Sequence, residues 1–176
     1  MTITAEKSIL LIIDLQTRLM PAITGGADIV KNADRLLKAA GYLNIPALLT
    51  EQSPQSLGPT VPELSISGVD VIHKTAFDAC AQPEFTSRIP EDACVIVAGC
   101  EAHVCVAQTV MGLIPQTRQV CLVADATGSR TKDNREAAIN RLTVRGAEIV
   151  TTEMVLFEWL HSAEHPKFKD VLSLVK

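Results

Sequence analysis

Apolar positions along this chain fall into short runs, separated by longer stretches with helical spacing. Residues 8–13 carry Ile9, Leu10, Leu11, Ile12 and Ile13 in succession. Both parities are apolar, so the run predicts a strand buried on both faces. Residues 46–50, 69–73, 94–98, 119–124 and 148–151 predict further strands of the same kind. Between them the period changes. Ile29, Leu36, Leu37 and Ala40 lie near one face of a helix predicted over 28–43. Residues 102–114 and 131–145 predict helices too, the second closed by Gly146 at its C′ position. A short helix is expected over 82–88, and the stretch through Trp159 and residues 168–175 also reads as helical. Pro54, Gly58, Pro59 and Pro62 mark 53–62 as a loop.

Strands buried on both faces, with helices between them, predict an α/β sandwich built on a parallel sheet. Right-handed crossovers then bring reactive side chains to the carboxyl ends of the strands, beside the switch in strand order. No repeat, low-complexity tract or linker interrupts the pattern, and 176 residues suffice for one core, so 1–176 is expected to be a single domain.

Composition narrows the function classes. A hydrophobic content of 47% with 20% charged residues is that of a soluble globular protein. A net charge of −4 and 3% aromatics supply neither a basic footprint nor stacking platforms, so no nucleic-acid partner is expected. No run reaches transmembrane length, and the first apolar run ends in Asp14 without a cleavage pattern. The expected setting is the cytoplasm, with no membrane partner. Five cysteines without a CxxC argue against a disulfide framework or a zinc knuckle. Cys94 and Cys121 lie inside apolar runs and read as small core residues; Cys80 and Cys100 stay ambiguous. His161 and His165 stand four apart, but Pro166 follows and no third ligand is evident, so they read as a solvated helix end.

The candidate chemistry sits where the strand-end rule points. Asp14 ends the first strand, Lys74 the third, and Cys105 lies seven residues beyond Ala98, at the start of the helix after the fourth. A thiol in the first helical turn meets the positive end of the helix dipole and unpaired N–H groups, which favours the thiolate. If strand order reverses between the first and fourth strands, the three residues share one crevice. A carboxylate there accepts the thiol proton, a lysine keeps the carboxylate ionised, and the sulfur attacks an electrophilic carbonyl. N–H groups between Glu101 and Cys105 are placed for an oxyanion hole. Phe77 reads either as an apolar pocket wall or as core. Gln16 and Gln52, near strand ends, are candidates for binding polar substrate atoms. His103 flanks the nucleophile and is given no base role. Three readings stay open: a cysteine hydrolase, an Asp14-driven reaction without the thiol, and a scaffold or thiol sensor without catalysis.

At these residues the chain resembles the isochorismatase-like cysteine hydrolase superfamily. The match is ordered: LLIIDLQ carries Asp14 and Gln16, VIHKTAFDA carries Lys74, and VIVAGCEAHVCVAQT carries Cys105. CLVADATGSR and AEIVTTE match the later strands. The segment TEQSPQSLGPTVPEL points to the isochorismatase domain-containing subgroup. The resemblance implies a three-layer αβα, Rossmann-like sandwich whose six-stranded parallel sheet runs 3-2-1-4-5-6. It implies an Asp14–Lys74–Cys105 triad and a cis bond at Cys100–Glu101, with the Glu101 and Cys105 N–H groups forming the oxyanion hole. The substrates it implies are small molecules: amides, ureides and carbamoyl compounds cleaved at a C–N bond through a thioester, or the enol ether of isochorismate. Metal-dependent nicotinamidases of the superfamily use a D-x-H motif after the second strand. Residues 51–68 hold neither Asp nor His. No metal and no other cofactor is therefore expected. Family relatives are commonly homo-oligomers, dimers or larger. The segment with Met154, Val155, Leu156, Phe157, Trp159 and Leu160 is either an interface or packs on its own sheet.

Overall fold

The computed structural model describes residues 2–117 and 119–176. The strands are β1 (Ser8–Ile13), β2 (Ala47–Gln52), β3 (Asp70–Lys74), β4 (Cys94–Cys100), β5 (Gln119–Gly128) and β6 (Glu148–Val150). They form one six-stranded sheet in the order β3-β2-β1-β4-β5-β6. Every ladder is parallel. The helices are α1 (Gly26–Leu43), α2 (Pro54–Leu57), α3 (Pro83–Thr86), α4 (Ala107–Leu113), α5 (Lys132–Val144), α6 (Thr152–Leu160) and α7 (Phe168–Leu172).

Alternation along β1 divides the interior. Leu10 and Ile12 face one core with Ile29, Leu36 and Ala40 of α1 and Val155, Leu156 and Trp159 of α6. Ile9, Leu11 and Ile13 face the other, with Phe85 of α3, Val110 and Leu113 of α4 and Leu142 of α5. Burial on both faces is what makes the parallel strands apolar at every position. Trp159 closes the first core and satisfies its indole N–H on Ser8 Oγ at 2.9 Å.

Several elements depart from the sequence pattern, each for a physical reason. β2 continues through Glu51 and Gln52, and β4 through Gly99 and Cys100, both past the end of the apolar run. The polar end of β2 stays in the ladder because partners from other parts of the chain satisfy it. Glu51 Oε1 accepts from Thr60 N at 2.6 Å and Thr60 Oγ1 at 2.8 Å, and its other oxygen meets His73 at 3.1 Å. The region predicted as a loop holds the short α2, and Thr60 bridges antiparallel to Gln16. The helix predicted over 102–114 is not uniformly α. It opens as a π turn, Ala102–Val106, before α4. The C-terminal segment divides: Val155, Leu156, Trp159 and Leu160 pack on their own sheet, while Met154 and Phe157 are exposed.

At Gly99 the close approach of β1 and β4 requires glycine. Its φ is +127°, and a Cβ there would lie 2.1 Å from Ile13 O and 2.6 Å from Ile13 N. This contact sets the end of β1, and with it Asp14, against the end of β4.

Candidate active site

Asp14 leaves β1 in the left-handed region, φ 51°, with its N–H on Thr50 O at 3.1 Å. Asp tolerates this conformation better than most residues. Both carboxylate oxygens are engaged. Thr50 Oγ1 donates to Oδ1 at 2.7 Å, and Lys74 Nζ donates to Oδ2 at 2.7 Å. The side chains of Asp14 and Lys74 are wholly removed from solvent. Lys74 also donates to Gln52 Oε1 at 2.8 Å. Gln52 and Lys74 are register partners at the ends of β2 and β3, which is why their side chains meet.

Cys105 lies in the π turn, 6% exposed, with Sγ 3.9 Å from Gln52 Oε1. The sequence expectation of a thiolate is corrected here. Burial pushes the Cys105 thiol up to about 12, the Asp14 carboxylate adds to the rise, and Lys74 opposes it. The dipole of one turn does not overcome removal from water beside an anion. Cysteine, carboxylate and ammonium are thus assembled with the sulfur protonated at rest.

The turn bearing Cys105 is tied to the residues just past the end of β5. The Cys100–Glu101 peptide is cis. Glu101 Oε2 accepts from Arg130 Nε at 2.8 Å and Arg130 N at 3.3 Å. His103 Nδ1 meets Ser129 Oγ at 3.0 Å, and Thr24 N donates to Ser129 O at 3.1 Å. The Glu101 N–H donates to none of the described residues.

The remaining candidates are placed differently from one another. Gln16 is fully buried and its amide is spent inside the chain. It donates to Gln52 O at 3.1 Å and Gly58 O at 2.7 Å and accepts from Gln52 N at 2.8 Å. It braces the loop after β2 and is turned away from the substrate role expected of it. Cys100 is also fully buried and packs in the core on the α1 side of the sheet, away from Cys105. Burial pushes its thiol up to about 12. Phe77 is 51% exposed in the segment after β3, which removes the core reading. That segment is pinned to α4 by Ala79 N on Thr109 Oγ1 at 3.0 Å and by Cys80 Sγ, 3.8 Å from Thr109 O. Cys94 and Cys121 are core residues, their sulfurs 3.7 Å apart. His165 Nδ1 accepts from Lys167 N at 3.0 Å. Among the described residues no group of three or more His, Cys, Asp or Glu could hold a metal ion, and no helix is long and apolar enough to cross a membrane. Sequence reasoning missed Thr50. Its signal was parity: Thr50 and Gln52 share the face of Leu48, which leads to Cys105.

Known proteins resemble this chain along nearly its whole length. The isochorismatase domain model matches residues 8–154. Isochorismatase domain-containing protein 2 of Danio rerio is 39% identical over 175 residues, 98% of this chain and 89% of that protein. Isochorismatase domain-containing protein 1 of the same species is 38% identical over 166 residues, 93% of this chain but 59% of that protein. The solved structure of the MAR1 ribonuclease of Caenorhabditis elegans is 35% identical, with a TM-score of 0.92 over 99% of this chain and 92% of that one. A parallel sheet in the order 3-2-1-4-5-6 and a domain match from the start of β1 into α6 make this chain a member of the isochorismatase family of hydrolases.

Proposed function

We propose that residues 1–176 act as one cofactor-independent cysteine hydrolase that cleaves a C–N bond of a small amide, ureide or carbamoyl compound. The observation that carries this reading is the buried Asp14–Lys74 pair beside the Cys105 thiol, joined through Gln52. Cys105 holds its proton at rest, so attack needs a base in contact with the reaction. Asp14 takes the thiol proton as Sγ bonds to the substrate carbonyl carbon. Lys74 balances the charge around Asp14, and the Glu101 and Cys105 N–H groups receive the oxyanion. The C–N bond breaks as Asp14 returns the proton to the leaving nitrogen. Water then attacks the thioester, giving its proton to Asp14, and the acid leaves as the thiol is restored.

Phe77, exposed beside the end of β3, is proposed as an apolar wall for the substrate. Met154 and Phe157, 47% and 40% exposed on α6, are proposed as part of a homo-oligomer contact. The cytoplasm is the proposed setting, supported by five cysteines that are all free. The ribonuclease activity in the name of the C. elegans protein is not carried over. A net charge of −4 with 3% aromatics suits neither phosphate tracking nor base stacking.

Intact-protein mass spectrometry tests the mechanism. Wild type and Cys105→Ala are incubated with pooled small amides, ureides and carbamoyl acids and quenched early in acid. The expected result is an acyl adduct on wild type alone. Turnover that persists in Cys105→Ala and disappears in Asp14→Asn would overturn it in favour of enol-ether hydrolysis by Asp14.

A further inference from the structure

Gln52 links Lys74 to the Cys105 sulfur, and its geometry points to a role other than the substrate contact expected from its place near a strand end. Its carboxamide can face only one way. Nε2 lies 2.7 Å from the Thr75 carbonyl, which only accepts, and 3.3 Å from Ser53 Oγ. The opposite end lies 2.8 Å from the Lys74 ammonium, which only donates. Reversing the amide would set NH2 against ammonium and oxygen against carbonyl. The orientation is therefore fixed by its neighbours. The backbone is held as well, since Gln52 N and O both bond the Gln16 side chain, at 2.8 and 3.1 Å. Oε1 is left as a rigid acceptor shared by Lys74 and the Cys105 sulfur, 3.9 Å away.

We propose that Gln52 is a positioning residue, whose amide oxygen holds Lys74 against Asp14 and serves as the resting acceptor of the Cys105 S–H. The proposal rests on the cysteine-hydrolase reading. Gln52 is not a substrate contact, because both ends of its amide are already used. Asp14 accepts from Thr50 and Lys74, Lys74 donates to Asp14 and Gln52, and both charges also act on the Cys105 thiol. Removing the acceptor frees Lys74 to turn toward the sulfur and takes away a partner that favours the neutral thiol. A negative charge at the same place does the reverse. It captures Lys74 and repels a developing thiolate. The charged groups acting on the sulfur are Asp14 at the end of β1 and Lys74 at the end of β3; Glu101 precedes its turn and His103 lies on it, while the Cys100 thiol of β4 packs on the other side of the sheet.

The test is the pH profile of Cys105 alkylation by iodoacetamide, located by peptide mass spectrometry. Gln52→Met keeps size and shape but offers no amide oxygen. Alkylation at alkaline pH should rise about three- to tenfold over wild type, the scale of one lost hydrogen bond. Gln52→Glu should fall by a similar factor. A Gln52 that merely fills space predicts the wild-type profile for Gln52→Met, and that result would overturn the proposal, as would shifts of the same sign in both variants. A melting scan establishes that each variant is folded. The wild-type protein supplies a check independent of any variant. Exchange of the Gln52 side-chain NH2 protons should be about tenfold or more slower than for an exposed glutamine, and free exchange overturns the anchored amide. A Cys105 inert to alkylation in wild type would instead strike the nucleophile reading, so the two failures are told apart.

Discussion

Replacing Lys74 with methionine isolates the cost of the buried charge pair. The ammonium lies 2.7 Å from Asp14 Oδ2 with both side chains out of contact with water. At an effective dielectric of about 20, unit charges at that separation attract by about 6 kcal/mol, most of which offsets their desolvation. Methionine retains the stem but leaves Asp14 as an unpaired buried charge and Gln52 Oε1 without its donor. Losing one partner of such a pair costs about 3–5 kcal/mol. For a chain of this size each kcal/mol lowers Tm by about 2–4 °C, so Lys74→Met should melt about 6–20 °C lower. Urea unfolding of wild type, Lys74→Met, Asp14→Asn and the double variant forms the cycle. Asparagine is a fair partner because it tolerates the positive φ of position 14. With both charges gone, the double variant should regain about 2 kcal/mol or more over Lys74→Met. The reasoning is refuted if Lys74→Met costs under about 1 kcal/mol, as an exposed pair would, or if the two losses simply add.

Three further expectations follow from the structure. Gly99→Ala sets a Cβ 2.1 Å from Ile13 O at a φ of +127°, and should cost about 3 kcal/mol or more in urea unfolding, together with the Cys105 adduct. By contrast, Gly41→Ala in α1 meets nothing within 4 Å and should stabilise by about 0.5–1 kcal/mol. The thiols of Cys100 and Cys105, both raised to about 12, predict an alkaline limb. Folding holds protons that the unfolded thiols release from about pH 9, so this contribution is intact below that pH and lost as pH climbs toward 12. The urea midpoint should fall between about pH 9 and pH 11, less steeply in Cys105→Ala; a midpoint that rises, or an unchanged slope in the variant, contradicts it.

The fold was legible where apolarity alone decides. Ser8–Ile13 is a strand with the predicted bounds because all of its positions are buried. Legibility stopped where the site begins. Glu51 and Gln52 look like the start of a loop, yet they extend β2 because Thr60, His73, Lys74 and Gln16 satisfy them from distant parts of the chain. The places of Asp14, Lys74 and Cys105 followed from the strand-end rule and the ordered motifs. Their protonation did not. The thiol depends on burial and on how near Asp14 comes, which only the folded chain determines. Gln52 reads from the sequence as a polar residue near a strand end, but its amide direction is fixed by the Thr75 carbonyl, which no local pattern announces.

The π turn at Ala102–Val106 has a consequence for how this protein can change. Such a turn spends one residue more than an α turn before closing, from i to i+5 rather than i+4. The extra residue uncouples the residues before the sulfur from the seating of α4, whose Val110 and Leu113 must stay on the sheet. Deleting one residue between Glu101 and Cys105 would let the turn relax to α geometry and leave α4 and Cys105 seated, but would turn the residues before the sulfur by about 100° relative to it. Shortening by a single codon there would therefore spoil the proposed site without unfolding the chain, whereas an equal deletion inside α4 would disturb the core first.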